Sequence, residues 1–139
     1  MTSTQPYNFP RSDERAPTLL IVGDELLIRA ILADYLQECG FTVLQAEDAQ
    51  DAIEMLQAGT PVDLVFSDVH LPGSMDGLAL NQWLRAQMPG VPMILTSGDA
   101  KKSEAAKELC RNEPFFADPY DIHQVVRYIR GVLNEQKQN

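Results

Sequence analysis

The chain is short of basic residues, of cysteine and of long apolar runs, and each shortage closes off a class of function. Eleven Lys and Arg stand against twenty Asp and Glu in 139 residues, a net charge of −9. A surface of that sign repels phosphate backbones, so direct nucleic-acid binding is not expected. The basic cluster that exists, Lys101 and Lys102 with Lys107, is interrupted by Glu104 and Glu108 and reads as a solvated helix face. No apolar run approaches the roughly 18 residues that span a bilayer, and the N-terminus lacks a signal pattern, so no membrane association is expected. The two cysteines, Cys39 and Cys110, fall late in expected helices. Each reads as a small buried or half-buried residue rather than half of a disulfide, and the expected location is the cytoplasm.

What is present is a 45% hydrophobic composition, enough for a single buried core. Residues 1–17 are polar, broken by Pro6, Pro10 and Pro17, and read as a flexible tail despite Tyr7 and Phe9. The domain is expected over 18–135, with 136–139 as a short C-terminal tail. Within it apolar runs alternate with helical periods. Thr18 to Gly23 reads as a strand. Residues 25–39, apolar at Ile28, Ile31, Leu32 and Tyr35, read as a helix closed by Gly40. Phe41 to Ala46 is a second strand. Asp48 caps a helix with Ala49, Ala52, Ile53 and Leu56 on one face, ended by Gly59. Asp63 to Ser67 is a third strand. A loop through Pro72 and Gly73 leads to a helix from Gly77 that presents Leu80, Trp83 and Leu84 to the core. Val91 to Ser97, a polar helix over about 100–112, and a short strand from Pro114 to Ala117 follow. Asp121 then caps a last helix with Ile122, Val125, Val126, Ile129 and Leu133 on one face.

This is βα repeated five times, an α/β fold with a doubly wound parallel sheet. The continuous apolar runs of the first, third and fourth strands suit strands covered on both faces. In an open parallel sheet of order 2-1-3-4-5, function collects outside the carboxyl ends of the strands. That order brings Asp24, Asp68, Ser97 and Asp118 to one rim. Two carboxylates 4 to 6 Å apart repel by about 3 to 4 kcal/mol at an effective dielectric near 20. Such a cluster raises one pKa or holds a cation, and oxygen-only ligands suit Mg²⁺. For Asp24 taken alone, a helix cap is an equal reading. His70 reads as a partly exposed rim group, and Trp83 as core packing.

Several spaced elements together resemble the receiver domain of two-component response regulators, of the flavodoxin-like, chemotaxis-regulator type, over about residues 18–135. Asp68 to Gly77 (DVHLPGSMDG) is similar to the phosphoacceptor aspartate and its loop. Thr96-Ser97-Gly98 is similar to the hydroxyl residue with a small follower, and Pro119-Tyr120 to the end of a Lys-Pro-aromatic segment. The resemblance implies that Asp68 takes a phosphoryl group from a histidine kinase or phosphotransfer protein, forming an aspartyl phosphate. It implies Mg²⁺ on Asp24, Asp68 and the backbone carbonyl of His70, with Glu25 and Asp118 as further candidate ligands. Ser97 would hydrogen-bond a phosphoryl oxygen, and Phe115 would be the aromatic that reports the switch or, equally, plain core.

Two positions depart from the pattern. Gly23 stands where the first of two adjacent acids is expected, and Asp118 where the lysine is expected. Three acids and a lysine sum to −2, whereas Asp24, Asp68 and Asp118 sum to −3, so a phosphoryl group should be held poorly without a compensating cation. Asp118 is also placed to replace the acid lost at Gly23. The expected function is a stand-alone phosphoacceptor, not an enzyme, since no effector domain follows residue 139. It would signal to a downstream protein through its fourth and fifth helices and fifth strand, with homodimerisation open. The alternative is a phosphorylation-independent interaction module, a pseudo-receiver. A hydrolase is disfavoured by the lack of a Gly-rich phosphate loop, a Ser-His-Asp set or a nucleotide fingerprint.

Overall fold

A computed structural model describes residues 16–97, 115–117 and 121–138. Residues 1–15 of the expected N-terminal tail, the helix expected over 100–112, Cys110 and Asp118 lie outside these residues. The strands are β1 (Thr18–Val22), β2 (Thr42–Ala46), β3 (Leu64–Asp68), β4 (Met93–Ser97) and β5 (Phe115–Ala117). They form one sheet of order β2-β1-β3-β4-β5, and every pairing is parallel. The described helices are α1 (Leu26–Glu38), α2 (Ala49–Gln57), α3 (Gly77–Gln87) and a C-terminal helix (Ile122–Gln138).

The continuous apolar strands are explained by two cores, one on each face of the sheet. Along β1, Leu20 and Val22 point into a core with Ala52, Ile53 and Leu56 of α2 and Leu80 and Leu84 of α3. Leu19 and Ile21 point the other way, into a core with Ala33 and Leu36 of α1 and Val125 and Ile129 of the C-terminal helix. β4 divides in the same manner, with Met93 and Leu95 on one side and Ile94 on the other. A strand covered on both faces favours apolar side chains at successive positions, which is why no alternation appears in the sequence; Ser67 and Thr96 are buried polar exceptions near the strand ends. Trp83 is half-buried and packs against the first core.

Helix ends follow local chemistry. The Asp48 carboxylate accepts from the Asp51 amide at 2.7 Å and caps α2. At the C-terminal helix the Asp121 carboxylate accepts from the His123 amide at 2.9 Å, and that bond holds its pKa below the ordinary value. α1 ends at Gly40, whose φ of 101° is a conformation that glycine adopts without a Cβ penalty. There the Gly40 amide donates to Gln37 and the Phe41 amide to Leu36, satisfying carbonyls that the helix leaves open. Arg130 from the C-terminal helix closes the same end, donating to the Cys39 carbonyl at 2.7 Å with its guanidinium 5.4 Å from the Phe41 ring. Cys39 is a free, half-buried thiol, as its position implied.

One expectation needs correction. The stripe Ile28, Ile31, Leu32 and Tyr35 was the apolar face of α1, yet Ile28 is 57% and Ile31 61% exposed. The face that meets the sheet carries Ala33 and Leu36, with Leu32 and Tyr35 at its flank. The apolar residues of the helix outnumber the positions that meet the sheet, and the surplus turns outward.

Candidate functional site

The parallel register sets the rim. Val22 pairs with Ser67, Asp68 with Thr96, and Ser97 with Ala117, so the strands end at a common level. The chain leaves this edge of the sheet at Gly23, Asp68 and Ser97. Outside it lies a cavity of about 530 Å³ whose polar lining includes Asp24, Glu25, Arg29, Asp68, His70 and Thr96. Ile28, Leu32, Leu71 and Pro72 form its apolar wall.

Asp68 is the last residue of β3 and is half-buried. Its Oδ1 accepts from the His70 amide at 3.2 Å, a short-range turn that orients the carboxylate. The backbone around it is closed from both directions. The Val69 amide donates to the Thr96 carbonyl at 2.7 Å, and the Gly77 amide to the Val69 carbonyl at 2.7 Å. A Cβ at Gly77 would lie 2.2 Å from the Asp68 carbonyl oxygen, so only glycine permits α3 to start this close to β3. Asp76, within the loop motif, caps α3 by accepting from the Ala79 amide at 2.8 Å.

Of the residues expected at the site, Asp24, Glu25, Asp68 and His70 line one cavity. Asp24 and Glu25 are exposed there. Glu25 holds the N-cap position of α1 without a side-chain capping bond, so the helix-cap reading of Asp24 is not what the structure shows. His70 is half-buried, with a buried Nε2 that has no hydrogen-bond partner. The backbone of Ser97 ends β4 and that of Phe115 begins β5. Asp118 follows β5 directly and lies outside the described residues.

Residue-type reasoning passed over Arg29. It follows Glu25 by four positions at the start of α1, and its amide donates to the Glu25 carbonyl at 2.9 Å. Side chains on a helix lean toward the N-terminus, so an arginine one turn in reaches back over the rim. Its Nη1 donates to the Gly23 carbonyl, and its Nε to Gln45 Oε1 at 3.0 Å.

The donor set suits a hard cation. Among the described residues no group of three or more His, Cys, Asp or Glu side chains converges as a metal cage. Mg²⁺ does not require one, because it is held by one or two carboxylates and keeps several waters. Asp24, Glu25 and Asp68 place carboxylates in the lining of one cavity, a donor set of the kind such an ion would need.

Comparison with known proteins agrees with this geometry. The response regulator receiver domain family matches residues 19–113. The chain is 32% identical over 124 residues to the probable transcriptional regulatory protein TcrX of Mycobacterium tuberculosis, covering 88% of this chain and 52% of that protein. It is 42% identical over 122 residues to the transcriptional regulatory protein AruR of Pseudomonas aeruginosa, covering 84% and 49%. It thus spans about half the length of these two relatives. The signal receiver domain of an HD domain-containing protein from Pseudomonas fluorescens superposes with a TM-score of 0.78 at 31% identity, covering 90% of this chain and all of that one. The chain belongs to the response regulator receiver domain family.

Proposed function

We propose that the protein is a phosphoacceptor whose Asp68 takes a phosphoryl group from a histidine kinase or phosphotransfer protein and passes the signal on by protein contact. The observation that carries this reading is the half-buried Asp68 carboxylate at the mouth of a cavity shared with Asp24 and Glu25. An Asp68 carboxylate oxygen attacks phosphorus, a P–O bond forms as the donor's P–N bond breaks, and the released imidazole takes a proton from water. Asp24, Asp68 and the His70 carbonyl would hold Mg²⁺, which would offset charge on the phosphoryl oxygens. Ser97 would donate a hydrogen bond to one of those oxygens, and Phe115 would report the change. The receiver unit in this reading spans 18–135 as a complete (βα)5 repeat and works in the cytoplasm, where kinases meet ATP.

The exposed apolar residues of α1 support a protein as phosphodonor. Leu26, Leu27, Ile28 and Ile31 are between 57% and 72% exposed on the helix that borders the cavity. Contiguous exposed aliphatics mark contact surfaces, and a helix of the donor laid here would bring its phosphohistidine to Asp68.

The test is incubation with Mg²⁺ and acetyl phosphate, followed by intact-mass measurement. One added phosphoryl group is expected on the wild type and none on Asp68→Asn; an unmodified wild type overturns the reading. A second reading, a phosphorylation-independent pseudo-receiver, is favoured by Gly23 and Asp118, which remove an acid and the lysine. It predicts that Asp68→Asn leaves partner binding unchanged.

A further inference from the structure

We infer that Arg29 is the cation that receives the phosphoryl group, taking the charge role of the lysine absent at position 118. This rests on the reading of Asp68 as phosphoacceptor. Among the described residues lining the Asp68 cavity, Arg29 carries the sole positive charge. Its guanidinium is held by two neutral acceptors, the Gly23 carbonyl through Nη1 and Gln45 Oε1 through Nε. A guanidinium has five N–H donors, so these two bonds orient the fork without neutralising it or exhausting it.

The two departures from the family pattern then fit together. Gly23 offers this guanidinium a backbone carbonyl and no side-chain charge. Among the described lining residues Asp24, Glu25, Asp68 and Arg29 sum to −2, so Arg29 offsets one of three carboxylates. The cation enters from α1 instead of from the end of β5.

The rival role for Arg29 is structural, tying α1 to the β1–α1 turn and to β2 through Gln45. Charge separates the two roles, because a phosphoryl mimic and a metal ion respond to it with opposite signs. Binding of Mg²⁺ alone, and of beryllium fluoride at saturating Mg²⁺, is measured by calorimetry on wild type, Arg29→Gln and Arg29→Lys, with folding checked by thermal unfolding. One charge at a half-exposed site changes affinity about five- to tenfold. Arg29→Gln is expected to bind beryllium fluoride more weakly by that factor and Mg²⁺ alone more tightly, while Arg29→Lys stays within about twofold of wild type for both. Loss of affinity for both probes in a folded Arg29→Gln, or unchanged beryllium fluoride binding, overturns the inference. So does a folded Arg29→Lys that loses beryllium fluoride binding as fully as the glutamine variant, which also decides the matter if Arg29→Gln does not fold. A wild type that binds no beryllium fluoride instead overturns the phosphoacceptor reading itself; binding by wild type with no change in Arg29→Gln removes only the role of Arg29.

Discussion

A methyl group at Gly77 would overlap the Asp68 carbonyl oxygen, 2.2 Å away, so the site depends on a missing side chain as much as on those present. Neither backbone can yield easily, since the Gly77 amide is itself bonded to the Val69 carbonyl. Overpacking of this kind destabilises by about 1 to 3 kcal/mol. Gly77→Ala is therefore expected to lower the urea midpoint and to slow phosphoryl uptake, because the end of β3 must shift to make room. Wild-type stability and uptake in that variant would show that the contact relaxes without consequence. Asp68 and Asp24 were legible from sequence because each closes an apolar run. Arg29 was not, because its role depends on which way α1 faces, and Gly77 was read as a helix start without the close approach that requires it.

At the scale of the helix, α1 separates periodicity from burial. Its apolar residues outnumber the positions that face the sheet, and the surplus lies on the outside beside the cavity. Leu36 is fully buried and Leu27 is 72% exposed, although both are leucines of one helix. Leu36→Ala is expected to cost about 2 to 5 kcal/mol in denaturant unfolding. Leu27→Ser should stay within about 0.5 kcal/mol of wild type while weakening phosphoryl transfer from a protein donor and sparing transfer from acetyl phosphate. Equal losses of transfer from both donors would place Leu27 in the chemistry rather than at a contact surface. α2 and the C-terminal helix were read correctly from sequence, since Asp48 and Asp121 act within one turn and their buried faces match the helical period.

For the molecule as a whole, the acidic rim adds to a net charge of −9, a field that attracts cations. Ligation of the native state alone at tenfold above Kd adds about 1.4 kcal/mol, which raises Tm by several degrees in a domain of this size. Millimolar Mg²⁺ is expected to give such a rise in wild type and a smaller one in Asp24→Asn and Asp68→Asn; a rise unaffected by either substitution would put the ion elsewhere. The order of the described strands and helices, the caps at Asp48 and Asp121 and the aspartate that ends β3 were determined by sequence alone, because propensity, capping and apolar runs act over a few residues. The sheet order let Asp24 and Asp68 be expected at one rim. Tertiary structure decided which face of α1 turned outward, how closely α3 approaches Asp68, and that Arg29 enters the same cavity as the carboxylates. Those outcomes depend on packing between segments distant in the chain, and no local pattern encodes them.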